Sequence, residues 1–428
     1  MLDHQKSFES AIVLAEKIVK DAFPIVGKQH TVQASNFRWQ GVGSSTAYDI
    51  TAQKKAKLED KSLLATLLAD VEVVDKTGKV LDRRDGHIVL QIPHITSRAS
   101  YILQGTERQV INQLRLRPGI YADFTPDNNI KVRINTSAAG TYSVLLDRES
   151  LIMTFRVGTS TNFPIISVLK VLGLNEVEIR QLLGDKIFAV NQKKSKPDMD
   201  ALKLIKKLRP YHATSNVDDA KKLIVDFLAS KPLDPEVNKV TIGKPIDKVD
   251  QGAVIECVRK AISLATGASE PDDVESLAFK SILSFDDFVA ERLLKAVPDI
   301  KRKVAALVDR KPQVLFALPP SMFTDTIDQF FNKSEFTRHA DQNNPIDIAA
   351  VNSLVTTMGE GGIKSSYAVT DEVRTIHPSH LGILDVAHTS EGGNIGITNH
   401  LSLGAKKIGS ALGMSVYDAR TGKREDHT

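Results

Sequence analysis

The sequence predicts an α+β protein in which a helical block interrupts a β-rich frame and glycine-rich loops follow. Three observations predict it. Short apolar runs bounded by turn residues dominate to about residue 155, apolar residues at three- and four-residue spacing take over from Pro164, and roughly the last 90 residues are dense in glycine, histidine and polar side chains.

The chain opens on MLDHQKSFESAIVLAEKIVKDAF, where Phe8, Ile12, Ala15, Ile18 and Val19 share one face of a helix. Glu9, Glu16, Lys17, Lys20 and Asp21 break the stretch as a signal-peptide core and as the ~20 apolar residues of a membrane span. The glycine/serine segment GVGSSTAYD and a short helix near Ser62 to Leu68 come next. VEVVD and KVLDRR then form a hairpin about a Lys76-Thr77-Gly78 turn. IVLQIPHI, SYILQG and KVRIN are further strands, interrupted by a helical GTERQVINQLR. From Pro164, the runs ISVLKVLGL, NEVEIRQLLG, DMDALKLIKKLRP, VDDAKKLIVDFLAS and AVIECVRKAISLATG make a helical insert, broken at Pro232, Pro235, Gly243 and Pro245. Periodicity resumes in FVAERLLKAV and TIDQFFNK. TTMGEGGIKSS, TIHPSH and TSEGGNIGITNH have the composition of loops at a functional surface.

With 428 residues, 42% of them hydrophobic and 25% charged, the chain has length for two or three domains and an ordinary globular composition. A net charge of +4 leaves nucleic-acid binding to local basic clusters, since no global field exists. The single cysteine, Cys257, excludes an intrachain disulfide and a Cys-based zinc cluster, and fits a reducing compartment.

Met358-Gly359-Glu360-Gly361-Gly362-Ile363-Lys364-Ser365 has the look of a phosphate-cradling loop, but a Walker A loop places Lys directly after its final Gly, and Ile363 intervenes. A plain flexible loop is the better reading. His377 and His380, with Asp385 and His388 beyond, have metal-ligand chemistry, yet Pro378 and Gly382 oppose one helix face, which favours structural histidines. Arg108, Arg115 and Arg117 cluster before Pro118-Gly119. From this segment alone, phosphate contact and a solvated basic face stand equal. Lys193, Lys194 and Lys196 read as a solvated charge run. The chain offers neither a Ser-His-Asp arrangement nor an aspartate cluster for two magnesium ions.

One resemblance orders these pieces. Asp341-Gln342-Asn343-Asn344-Pro345 resembles the DQNNP of bacterial RNA polymerase β subunits, preceded by a similar helix in DTIDQFFNKSEFTRHA. Thirteen residues separate Pro345 from Gly359-Glu360-Gly361-Gly362-Ile363, the spacing that family keeps before G-P-G-G-L. Val373-Arg374-Thr375-Ile376-His377-Pro378-Ser379-His380-Leu381-Gly382 resembles V-R-D-V-H-P-T/S-H-Y-G. Glu391-Gly392-Gly393-Asn394-Ile395-Gly396-Ile397, beginning fourteen residues after His377, resembles E-G-P/A-N-I-G-L. Near the other end, IPHITSRASYILQGTERQVINQLRLRPGIY is similar to the family's I-P-L-M-T-x-x-G-T-F-x-I-N-G-T-E-R-V-I-V-x-Q-L-x-R-S-P-G-V without a gap. The likeness covers about residues 65 to 415.

The resemblance implies a protrusion at residues 1–118 and 276–335, an inserted, mainly helical lobe at 119–275, a fork and active-centre-facing region at 336–410, and a tail at 411–428. It implies a subunit of a DNA-directed RNA polymerase that is not active alone. The reaction is two-metal nucleotidyl transfer, with Mg2+ held by aspartates of a β′-like partner and no metal bound by this chain. Glu391 and Asn394 are placed at the edge of the nucleotide insertion site. Gly359 to Ser366, with Gly361, Gly362 and Lys364, corresponds to the fork loop that blocks the downstream duplex. Arg108, Gln113, Asp341 and Asn343 line the cleft wall near nascent RNA, and Arg115, Arg117 and Arg374 join the nucleic-acid-binding set. Glu275 and Lys280 stand where the family's Asp and Arg hold an unpaired non-template guanine.

Departures carry expectations too. After DQNNP, the His, Arg and Ser of the rifampicin pocket are replaced by Val351, Leu354 and Thr356, which implies resistance. P-I-E-T-P becomes Val386-Ala387-His388-Thr389-Ser390, and the arginines after G-G-L become Lys364, Ser365 and Ser366. The chain ends at Thr428, shortly after the fork, so the rest of a β subunit is expected from a companion C-terminal β-like chain. Such a cut resembles the split polymerase subunits of giant bacteriophages. The expected partners are that chain, β′-like chains, a promoter-specificity factor, template and non-template DNA, nascent RNA and nucleoside triphosphates, and no membrane. The expected setting is the infected bacterial cell or the virion. The competing reading is a polymerase-derived regulatory or virion structural protein without a catalytic role.

Overall fold

The computed structural model describes all residues except 1–2, 43–46, 137–140, 159–160, 209–213, 215, 311–321, 366, 368, 370 and 428. Part of the glycine/serine segment, the end of the DMDALKLIKKLRP run and Ser366 therefore lie outside the described residues. Among those described, the chain divides into two compact units, residues 1–115 with 281–428, and residues 116–280.

In the first unit the N-terminal stretch forms the helix His4–Ala22, started by the Asp3 side chain accepting from the Lys6 N–H. It buries Phe8, Ala11, Ile12, Ala15, Val19 and Ala22, with Ile18 partly buried at the margin. They pack in one core with Phe288, Val289, Leu293 and Val304 of the helix Phe285–Arg310, and with Ala65, Leu67, Val89 and Leu90 of a four-stranded antiparallel sheet. Each of the Phe, Ile, Leu and Val side chains contributes about 1.5–3 kcal/mol by leaving water, and each alanine less. The expected hairpin is the long pair Leu64–Asp75 and Val80–Pro93, and its turn places Gly78 at φ +83.

Two expected helices of this unit are strands. Ser62 to Leu68 leads into Leu64–Asp75, and the nearby helix is Ile50–Leu58, capped by Asp49. GTERQVINQLR forms the strands Thr106–Val110 and Asn112–Leu116. Gln104 at φ 46 and Gly105 at φ 75 make a two-residue turn of the kind that joins twisted antiparallel strands, so Tyr101–Leu103 pairs back on Thr106–Val110. The helix-favouring Glu107, Gln109 and Gln113 are buried, and each is bonded to a residue distant in sequence, so tertiary bonding overrides local propensity.

The second unit starts as sheet. Gly119–Phe124, Ile130–Asn135, Thr141–Leu146, Met153–Val157 and Thr161–Pro164 form a five-stranded antiparallel meander in chain order. Its inward residues Ile120, Val132, Val144 and Phe155 share a core with Ile179, Leu204, Ile205, Ile224, Val254 and Cys257 from the helices that follow. "Mainly helical" thus holds from Ile165 to Ala265, and the first third of the unit is β. The proline-marked break contains a short helix of its own, Pro235–Thr241, with Asp234 as its cap and Pro235 in its first turn. Among the described residues, no helix is long and apolar enough to cross a membrane.

The loops that follow Phe336 are carried on a further sheet, in which Asn112–Leu116, Leu354–Thr356, Thr398–Leu401 and Leu384–Thr389 lie side by side. The 411–428 tail is partly regular, since Ala411–Tyr417 pairs with both Ala405–Ile408 and Arg424–His427.

Candidate functional site

Asp341-Gln342-Asn343-Asn344-Pro345 is a self-organised turn. Asp341 Oδ1 accepts from the N–H groups of Asn343 (2.8 Å) and Asn344 (3.3 Å). Asn344 caps the helix Pro345–Val351, with Pro345 pre-set at its first position. Gln342 donates to Glu107 at 3.4 Å, and its carbonyl oxygen accepts from Lys57 at 3.0 Å. Glu107 is fully buried and bonded by Lys57, Arg98 and Ser100. Burial alone would raise its carboxyl, but Lys57, Ser100 and Arg98 bring it below the ordinary glutamate value. Asn343 is left exposed.

The 358–363 segment closes on itself. Gly359 donates to the Ile363 carbonyl, Gly362 to that of Gly359 and Ile363 to that of Thr357, at 2.9, 2.9 and 3.0 Å. These N–H groups are consumed inside the turn, which removes the phosphate cradle a P-loop needs. Gln113, wholly buried, donates to the carbonyls of Met358 (2.9 Å) and Glu360 (3.2 Å). Its own oxygen accepts from Arg115 at 3.1 and 2.8 Å, and Arg115 donates to the Glu360 carbonyl at 2.8 Å. A Cβ at Gly362 would collide with the Thr357 carbonyl oxygen and lie 2.9 Å from Gln113 Nε2. That glycine is required by packing. Gly361 and Lys364 are exposed beside the turn.

The 391–397 turn is pinned from outside. Arg374 donates to the carbonyls of Gly393 (3.0 Å) and Ile395 (2.7 Å), and a Cβ at Gly396, which sits at φ +73, would collide with the Arg374 backbone. Glu391 and Asn394 are exposed at the two ends of the short turn Gly392–Asn394. Both line a cavity of about 520 Å3, together with Val351, Leu354 and Thr356 after DQNNP and with His388 and His400. The two imidazoles stack at 3.8 Å between centroids, 9° from parallel. Burial, and then the neighbouring His388, holds the His400 imidazole below its ordinary value. His377 Nδ1 bonds Ser379 at 2.7 Å and the Ser379 N–H at 3.1 Å, a local capping role. Among the described residues, no group of three or more His, Cys, Asp or Glu is placed to hold a metal ion.

The remaining residues fall elsewhere. Arg108 donates to the Phe331 carbonyl at 2.7 Å. Arg115 also pairs with Glu291 at 3.1 Å. In the 116–280 unit, Arg117 pairs with Asp234 (2.6 Å) and Glu236 (3.2 Å), and Lys280 with Glu275 (3.1 Å). Two groupings therefore form in the first unit: Glu391 and Asn394 around Arg374, and Gln113, Arg115, Gly361 and Gly362 around Glu360. Sequence reasoning passed over His400, Glu107, Arg292 and Lys295. Arg292 and Lys295 signalled only as charges inside an apolar periodic run, and His400 as one more polar residue of a glycine-rich loop.

Residues 338–406, which hold both turns and most of the cavity, match RNA polymerase Rpb2, domain 3. The chain is 24% identical over 393 residues to the DNA-directed RNA polymerase subunit beta of Parasynechococcus marenigrum (strain WH8102), with 82% of this chain and 34% of the relative covered. The proteins of the same description from Prochlorococcus marinus (strain MIT 9312) and Synechococcus sp. (strain CC9902) match to the same extent. The chain spans about a third of the length of the curated relatives it matches. These similarities support an RNA polymerase β-like protein.

Proposed function

We propose that this chain is the N-terminal part of a β-like subunit of a multisubunit DNA-directed RNA polymerase. It forms one side of the nucleic-acid cleft and part of the nucleotide insertion site. The observation that carries the reading is the Glu391–Asn394 turn, clamped by Arg374 at the rim of the cavity inside the segment similar to Rpb2, domain 3.

Magnesium, held by a β′-like partner, supplies charge neutralisation for phosphoryl transfer. This chain's part is positioning. The Glu391 carboxylate and the Asn394 amide are exposed on a turn whose carbonyls are locked, so they can orient neighbouring groups with little ordering cost. The 358–363 turn serves as the fork loop, and Arg108, Gln113, Asp341 and Asn343 serve the cleft wall. Glu275 and Lys280 serve a guanine pocket, with Lys280 first drawn from its pair with Glu275. The reading extends to a split subunit like those of giant bacteriophages, in an infected cell or a virion. Its companions are a C-terminal β-like chain, β′-like chains and a promoter-specificity factor.

Val351, Leu354 and Thr356 are buried, so that wall of the cavity offers little to a polar drug. Each lost hydrogen bond costs about 1–3 kcal/mol, and the assembled enzyme is expected to resist rifampicin. Inhibition at ordinary bacterial doses contradicts this. The test of function is ribonucleotide incorporation by the assembled complex. Glu391→Ala is expected to lower the rate about 100-fold, the scale of lost positioning. A native rate in that variant overturns the assignment.

A further inference from the structure

Glu360 stands where the resembled pattern G-P-G-G-L carries proline, and its carboxylate meets Arg292 at 2.7 Å and Lys295 at 2.8 Å. Both cations come from the helix Phe285–Arg310. They line a cavity of about 300 Å3, to which the helix Thr324–Lys333 and the residue after it add Lys333, Thr326, Gln329 and Ser334. Three cations and three uncharged hydrogen-bond donors converge there. Among the described residues, no carboxylate lines it. Two acids pair with its cations: Glu291, which bonds Arg115 at 3.1 Å and Lys295 at 2.8 Å, and Glu360 itself. A planar guanidinium beside two ammonium groups, with neutral donors behind them, suits the oxygens of a phosphate.

We propose that this groove is a binding site for phosphates of a nucleic-acid backbone, and that the Glu360 carboxylate occupies its mouth as an internal competitor. Exchange is easy on the geometry. Glu360 and Lys295 are 48% and 42% exposed, so solvent screens their pair. The turn's backbone is held separately, by Arg115 and Gln113 on the Glu360 carbonyl. The carboxylate can therefore swing away with the 358–363 turn intact, leaving Arg292, Lys295 and Lys333 to an incoming phosphodiester. The site is read from these residues alone and does not rest on the polymerase assignment.

The test is binding of a short fluorescein-labelled oligothymidylate to the full chain, by anisotropy over a range of salt. Glu360→Gln, which removes the competing charge, is expected to tighten binding by about threefold to tenfold. Lys333→Ala is expected to weaken it by a similar factor and to lower the salt slope by about one, while Lys333→Arg keeps both. Inorganic phosphate is expected to compete weakly, at a concentration that Glu360→Gln lowers. Lys333 is exposed, so its loss leaves the fold in place, and thermal melts of each variant check this. The proposal is overturned by unchanged or weaker binding in Glu360→Gln, or by a Lys333→Ala variant with native affinity and salt slope. The readout is binding by the isolated chain and not ribonucleotide incorporation, so failure here and failure of the polymerase reading are told apart.

Discussion

The 116–280 unit and the segment from 338 to 406 spend their residues in opposite ways. The first closes one continuous apolar core running from Ile120 to Leu264, and its arginine, Arg117, is turned onto Asp234 and Glu236 of its own fold. The second contributes nothing to the main core of its unit, whose last member is Phe336. It instead leaves Ile346, Ile376, Leu381 and Ile395 exposed. Its shape comes from side chains bonded to carbonyls, such as Arg374 on Gly393 and Ile395. Where the chain most resembles a catalytic family, its buried residues, such as Ile348, Val351, Val355 and Ile397, lie outside the main core, and polar pins add to their packing.

The largest expected effect sharpens that contrast. Phe155→Ala, at a fully buried position in the 116–280 core, should cost about 3–5 kcal/mol in urea unfolding, against less than about 0.5 kcal/mol for Ile346→Ala at 77% exposure. Equal losses would break the comparison. Arg117→Ala strands Asp234, and its expected cost is about 2 kcal/mol by the same measurement. Gly362→Ala forces the 358–363 turn off the Thr357 carbonyl at about 1–2 kcal/mol, visible as faster proteolysis at that turn. Arg374→Ala should change global stability by only about 0.5 kcal/mol yet speed amide exchange across 392–397. Unchanged exchange there would show that the turn needs no pin.

The most gradual effect is on pH. His400 is held below its ordinary value by burial and by stacked His388, so the folded state keeps it neutral while an unfolded chain takes up a proton near pH 6.5. Its contribution is present above about pH 6.5 and is lost as pH falls below it. Amide protection of Thr398–Leu401 should therefore fall between about pH 6.5 and 5, while that of Thr141–Leu146 holds. The 116–280 unit contains a single histidine, His212, which lies outside the described residues. His400→Asn should remove the difference.

The legibility of the sequence divides along the same line. The helix Val217–Ala229 and the stretch to Val297 of Phe285–Arg310 were plain in the spacing of their apolar residues, whereas the continuation of the latter through Pro298 was not. Nor were the strands from Thr106 to Leu116. Their buried Glu107, Gln109 and Gln113 find partners such as Lys57, Ile348 and Met358, and no local pattern records bonds of that range. At the candidate site the motif letters located the Glu391 turn, but the clamp by Arg374 and the reach of Glu360 to Arg292 are non-local and came only with the structure.

The central claim, a β-like part of a polymerase, is tested most directly by affinity purification of this chain from its native cells, identifying what co-purifies. The account predicts β′-like chains and the remaining β-like parts in one complex, with template-dependent ribonucleotide incorporation that Glu391→Ala slows about 100-fold. A lone protein, or one recovered with none of those companions, contradicts it.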